Sequence, residues 1–158
     1  MISDEVAVGG PIALELHWDG NVIGNMRLRW RTEGEQARVT SEAGKAMQAA
    51  LERYVAGEDA CWPELPVDFE PLPRFHRRVL EELSKVPAGE TLSYGELAAR
   101  CGSPRAARAV GQVMAANRWP LVLPCHRVLA AGGRLGGFGP GPEMKRWLLG
   151  LEGASSKE

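Results

Sequence analysis

The sequence predicts a mixed α/β (α+β) fold in two parts. A small N-terminal β-hairpin/sheet-plus-helix domain is expected over residues 1–70, and a mainly helical C-terminal domain with a helix-turn-helix over residues 71–158. Three observations predict it. A hairpin signal lies in the first third, four prolines crowd residues 62–73, and two short helical stretches with capping residues follow one another around Gly102.

Taken in order, Ile12-Ala-Leu-Glu-Leu-His-Trp18 precedes Asp19-Gly20, and Asn21-Val-Ile-Gly-Asn-Met-Arg-Leu-Arg-Trp30 follows it. Asp-Gly between two partly apolar runs predicts a hairpin turn, because Gly tolerates the positive φ such turns require. Met26, Leu28 and Trp30 alternate with Arg27 and Arg29, as in a strand with one wet face. From Ser41 to Val55 the period becomes helical: Ala43, Met47, Ala50, Leu51 and Tyr54 fall three or four apart, and Gly57 is the expected stop. Pro63, Pro66, Pro71 and Pro73 exclude a regular helix and mark the linker. Phe75, Val79, Leu80 and Leu83 form the apolar stripe of a helix ending before Pro87-Ala-Gly89. Ser93 and Glu96 stand at capping-box spacing and open a helix from Tyr94 to Arg100, which Gly102 closes. Ser103 as cap and Pro104 at the first position predict a third helix reaching about Ala116.

Composition narrows the function classes. With 44% hydrophobic and 25% charged residues the chain reads as a globular protein, and no apolar run reaches the roughly 18 residues of a membrane span. The acidic start, MISDEVAVGG, carries no basic-then-apolar secretory signal. Cys61, Cys101 and Cys125 are widely spaced, without a C-x-x-C pair, so neither a disulfide framework nor a zinc site is expected, and reduced thiols in the cytoplasm are. The net charge of −1 is unevenly spread. Residues up to Arg74 hold 7 Lys/Arg against 13 Asp/Glu, and Phe75 to Gly153 hold 11 against 6. A basic half suits a polyanionic partner, although two solvated surfaces of opposite sign would give the same count.

Two segments carry chemistry. Pro104-Arg-Ala-Ala-Arg-Ala-Val-Gly-Gln-Val-Met-Ala-Ala-Asn117 is rich in small residues, and Arg105 and Arg108 are expected to share a helix face. The bare backbone around Ala106 and Ala107 permits close approach to a DNA groove, or tight packing against neighbouring helices. Leu121-Val-Leu-Pro-Cys-His-Arg-Val-Leu129 reads as a strand-like apolar run enclosing Cys125 and His126. A cysteine so placed is ordinarily an inert core residue with a raised pKa. The adjoining imidazole offers the alternative of a nucleophile and its base. Neighbours in an extended segment point to opposite faces, so the two would meet through a bridging water.

Pro124-Cys125-His126-Arg127, with its cysteine eight residues after Asn117, follows Arg-Ala-Val-Gly at 108–111 and precedes Gly-Gly-Phe-Gly-Pro-Gly at 136–141 and Lys145-Arg-Trp-Leu-Leu-Gly-Leu-Glu-Gly153. From about Phe75 to Gly153 this closely resembles the O6-alkylguanine-DNA alkyltransferases (methylated-DNA–protein-cysteine methyltransferases). The resemblance implies a winged-helix-like C-terminal domain and a suicide reaction on alkylated guanine in double-stranded DNA, with O4-alkylthymine a second candidate substrate. It implies no cofactor and no metal, and a monomer as the acting form. It further implies that Cys125 is the nucleophile, His126 its water-linked base, Glu152 the orienter of the imidazole, Asn117 the hinge, and Tyr94 a donor near the flipped base. Arg108 becomes the finger filling the vacated stack, with Arg105, Ala106, Ala107, Tyr94 and Arg127 the other DNA contacts. Met114, Val128, Phe138 and Gly139 would wall the guanine pocket. Gly139 stands where the family often has a small hydroxyl residue, leaving a backbone N–H there. A winged-helix transcription regulator would explain the basic half but not Cys125-His126, Asn117 or Glu152. His17, His76, Cys61 and Cys101 are expected to be structural or surface residues.

Overall fold

A computed structural model of the chain describes residues 3–58 and 61–157. The architecture is α+β, and the chain divides into two compact units, Met1–Asp68 and Phe69–Glu158.

In the first unit three antiparallel strands, β1 (Glu5–Gly9), β2 (Ile12–Asp19) and β3 (Val22–Trp30), form a meander in that order. Leu14 pairs with Leu28 and Leu16 with Met26, so the period-two pattern buries one face. Helix α1 (Glu42–Val55) packs against this sheet through Met47, Ala50, Leu51 and Tyr54. Its Ser41 cap accepts from the Gly44 N–H at 2.9 Å. Gly44 is obligatory for a reason the pattern hides: a Cβ there would collide with the Glu5 carboxylate.

Three details differ from the sequence reading. The turn between β2 and β3 consists of Gly20 and Asn21, because Asp19 already pairs with Val22, and Gly20 supplies the positive φ of 64°. Trp30 closes the strand and is 40% exposed rather than turned inward. The edge strand β1 is an addition: all five of its residues are buried, so it offers no alternation to read.

In the second unit helix α2 (Arg74–Leu83) buries Val79, Leu80 and Leu83 and contacts both following helices. Strand β4 (Leu92–Ser93) leads into α3 (Tyr94–Arg100), whose capping box is complete: Glu96 N donates to Ser93 Oγ and Ser93 N to Glu96 Oε1, each at 3.0 Å. Helix α4 (Ala107–Ala115) begins three residues later than Pro104 suggests. Ser103 is consumed in closing α3, its N–H donating to Ala98 O, and its carbonyl receives Ala106 N in a separate turn. Arg105 therefore lies in that turn and does not share a helical face with Arg108, contrary to expectation.

Strand β5 (Val128–Leu129) pairs in parallel with β4, Leu92 with Val128 and Ser93 with Leu129. This short pairing holds the start of α3 beside the segment that carries Cys125. Helix α5 (Pro142–Leu151) opens with Pro at its first position after Gly141 and ends at Glu152. Behind it Leu129, Leu135 and Leu149 cluster with Ala154. Among the described residues no helix is long and apolar enough to cross a membrane.

Candidate active site and nucleic-acid interface

The segment after α4 is not the extended run its composition suggests. Pro120 and Pro124 lack the N–H groups a strand ladder needs. Residues Cys125–Arg127 instead form a single 3-10 turn, with Arg127 N donating to Pro124 O at 3.0 Å. The alternating-face argument for Cys125 and His126 falls with that correction. Asn117 secures the stretch leading to the turn from both ends, donating Nδ2–H to Leu123 O at 2.9 Å and accepting Trp119 N–H on Oδ1 at 3.1 Å. Between these points Leu121 is held at a φ of 72°, in the left-handed region that an L side chain resists.

Cys125 is 7% exposed, covered by its neighbours but not sealed. Burial pushes its thiol up, opposed by a hydrogen bond from Asn117 and the positive charge of Lys145. His126 is 1% exposed, and its Nε2 lies 2.7 Å from Glu152 Oε2. Glu152 also takes a guanidinium fork and is therefore a carboxylate that only accepts, so Nε2 carries the proton and Nδ1 keeps a lone pair. Nδ1 is buried without a hydrogen-bond partner among the described groups. Burial pushes the imidazole down against the pull of Glu152, with Arg127 and Lys145 adding to the downward shift. Thiol and imidazole thus rest as a neutral pair, with an acceptor nitrogen available for the thiol proton.

Tyr94 reaches the same site from the first turn of α3. Burial raises its pKa, the Gly137 N–H hydrogen-bonds its oxygen, and it lies close enough to feel charge on Cys125. Gly136 must be glycine here: its φ is 71°, and an added Cβ would stand 2.8 Å from Tyr94 Oη. Phe138, in the same loop, is half-buried with its ring 6.4 Å from that of His126. Met114 and Val128 are buried, whereas Gly139 is exposed, and a Cβ added there would meet no atom within 4 Å. Arg105 and Arg108 are exposed at the turn and first residues of α4, with Ala106 and Ala107 between them.

Arg127 is the clear departure from expectation. It does not face outward to DNA but is buried, donating Nε–H to Glu152 Oε1 at 2.8 Å, Nη2–H to Glu152 Oε2 at 3.0 Å and Nη1–H to Val86 O at 2.7 Å. Three of the five guanidinium N–H donors are thus committed inside the protein, which turns the side chain away from an exposed phosphate contact. Sequence reasoning also missed Lys145, fully buried on α5, whose ammonium donates to the carbonyls of Val128 and Leu135. Its signal was available: Lys145 occupies a position on the apolar face formed by Met144, Leu148 and Leu149. Among the described residues no group of three or more His, Cys, Asp or Glu is placed to hold a metal ion.

Residues 74–154 match the family described as 6-O-methylguanine DNA methyltransferase, DNA binding domain. A methylated-DNA–protein-cysteine methyltransferase of Mycobacterium bovis is 40% identical over 147 residues, covering 90% of this chain and 86% of that protein. One from Salmonella typhimurium is 38% identical over 128 residues, covering 81% and 74%. The crystal structure of Mycobacterium tuberculosis OGT in complex with DNA superposes with a TM-score of 0.74 at 36% identity, covering 94% of this chain and 92% of that one.

Proposed function

This chain belongs to the 6-O-methylguanine DNA methyltransferase family, and on that premise we propose that it repairs DNA by one irreversible transfer of an alkyl group from O6 of guanine to its own Cys125. The observation that carries the reading is the ordered series Cys125, His126, Glu152, in which the imidazole is held at Nε2 and left open at Nδ1. The thiol proton passes to Nδ1 through one bridging water. The sulfur then attacks the alkyl carbon, the bond from that carbon to O6 breaks, and its electron pair stays on guanine. Tyr94, kept protonated by burial, donates toward the base as charge develops there. The product thioether has no acceptor to relieve it, so one molecule acts once.

O6 is inaccessible inside a duplex, so the nucleotide must be everted at a cost of about a few kcal/mol. Arg108, exposed on the second residue of α4, fills the vacated stack, and Arg105, Ala106 and Ala107 meet the backbone beside it. Met114, Val128, Phe138 and Gly139 shape the space for the base, and Asn117 ties that helix to the reactive turn. We assign residues 71–158 to DNA binding and alkyl acceptance and residues 1–70 to an accessory role. We place the protein in the cytoplasm, where Cys61, Cys101 and Cys125 keep their free thiols.

Intact and peptide mass spectrometry after incubation with duplex DNA containing O6-methylguanine tests this. One methyl on Cys125 is expected, matched by loss of one O6-methylguanine, and Cys125→Ser should take up none. A methyl on another residue, or many turnovers per molecule, overturns it.

A further inference from the structure

We propose that Arg127 is a positioning residue that occupies the charge of Glu152 and so keeps His126 a neutral imidazole able to accept the Cys125 proton. The kinetic consequence rests on the reading of Cys125 as alkyl acceptor; the charge state of His126 does not.

The argument starts from geometry. Glu152 Oε2 is shared: it takes His126 Nε2–H at 2.7 Å and Arg127 Nη2–H at 3.0 Å, while Oε1 takes Arg127 Nε–H at 2.8 Å. A fork of this kind matches both carboxylate oxygens and fixes the plane of the carboxylate as well as its charge. The remaining contact, Nη1–H to Val86 O at 2.7 Å, anchors the guanidinium to the segment after α2, so the fork cannot swing away. A buried carboxylate facing an imidazole alone would form an ion pair with it, because each desolvated partner needs the other's charge. With Arg127 present that demand is already met, and the imidazole receives orientation without a strong pull toward imidazolium.

The other groups around the ring agree. From α5, Lys145 adds a second buried cation that disfavours charge on His126, and the pull of Glu152 opposes this. On its own turn the neighbour is Cys125, neutral through burial, and Tyr94 faces Cys125 from α3 in its protonated form. Phe138 supplies an uncharged ring on the remaining side.

The test compares wild type with Arg127→Gln and Arg127→Lys in the unalkylated full chain. The chain holds only three histidines, so 15N-detected NMR can follow the protonation of each ring. Wild-type His126 should titrate below an ordinary imidazole, whereas in Arg127→Gln its titration should move up by about one pH unit or more. Lysine keeps a charge but not the fork, and should move it part of the way. In the rate of methyl uptake, Arg127→Gln should lose about tenfold near pH 6.5 and recover much of that loss near pH 8.5. A structural defect would instead lower the rate equally at every pH. Unchanged titration of His126 in a folded variant, or rate profiles parallel to wild type, overturns the proposal. If Arg127→Gln does not fold, Arg127→Lys decides by the same two readouts. Failure of the wild type itself to take up methyl would sink the proposed function and leave the NMR result standing.

Discussion

Each unit of the molecule holds a histidine among carboxylates that also bind an arginine. On the N-terminal sheet His17 places Nδ1 2.9 Å from Asp4 Oδ2 and Nε2 2.8 Å from Glu15 Oε1, while Glu15 receives Arg29 at 2.5 Å. In the C-terminal unit His126 has one carboxylate, Glu152, shared with Arg127. The two rings shift in opposite directions. The hydrogen bond to Asp4 raises His17, aided by Glu15, and a partly open surface lets the ring carry its charge. Burial lowers His126, and Glu152 does not reverse that. A carboxylate neighbour does not by itself make a histidine cationic; what decides is the water lost against the carboxylate charge left unclaimed. The first cluster is a surface ion network; the second is a buried neutral imidazole bonded at Nε2, with Nδ1 unpartnered among the described groups.

The sharpest way to break this contrast is to remove one carboxylate from each cluster. Glu152→Gln leaves Arg127 buried without a counter-charge and should cost about 3–5 kcal/mol, whereas Glu15→Gln should cost within about 1 kcal/mol. Urea denaturation of the two variants gives the comparison, and similar losses would show that burial is not what separates the clusters. Glu5 refines it. This carboxylate is 2% exposed and is held by neutral donors: Trp18 Nε1, Ser41 Oγ and the N–H groups of Thr40 and Ser41 all bond to it. Burial works against its charge, but those four bonds win and hold its pKa below the usual carboxylate range. Glu5→Gln turns an amide N–H toward backbone donors and should cost about 1–3 kcal/mol, between the other two. The smallest effect is in pH. The folded pKa of His126 lies below its unfolded value, so the unfolded chain gains the extra proton and stability falls as pH drops below about 6.5. His17 is raised, so its contribution is fully present below about pH 6.5 and is lost as pH rises through its folded pKa. His17→Gln should therefore cost under about 1 kcal/mol after screening, and more at pH 5.5 than at pH 8 in urea titrations. A cost that shrank on acidification would contradict the assignment of charge to His17.

What the sequence made legible was local. The hairpin, α1 and the capping box of α3 each depend on residues within a few positions of one another, and each was placed within a residue or so. What it hid was set by distance or by competition. Strand β1 has no wet face and so no alternation. The start of α4 moved because Ser103 serves the preceding helix instead. Arg127 reads as a free surface cation until the fold brings Val86 and Glu152 to it from 41 and 25 residues away. The pairing of His126 with Glu152 spans 26 residues and came from resemblance, since no spacing rule links them.

The stretch from Asn117 to Leu123 forms a stiff strut between α4 and the turn that carries Cys125. One side chain, Asn117, fastens both of its ends, and Leu121 is wound the wrong way in the middle, at a cost of about 1–2 kcal/mol. A strut of that kind cannot take up slack. A displacement large enough to pull Asn117 from its place would release both attachments together and let Leu121 relax, so this stretch yields as a whole rather than residue by residue.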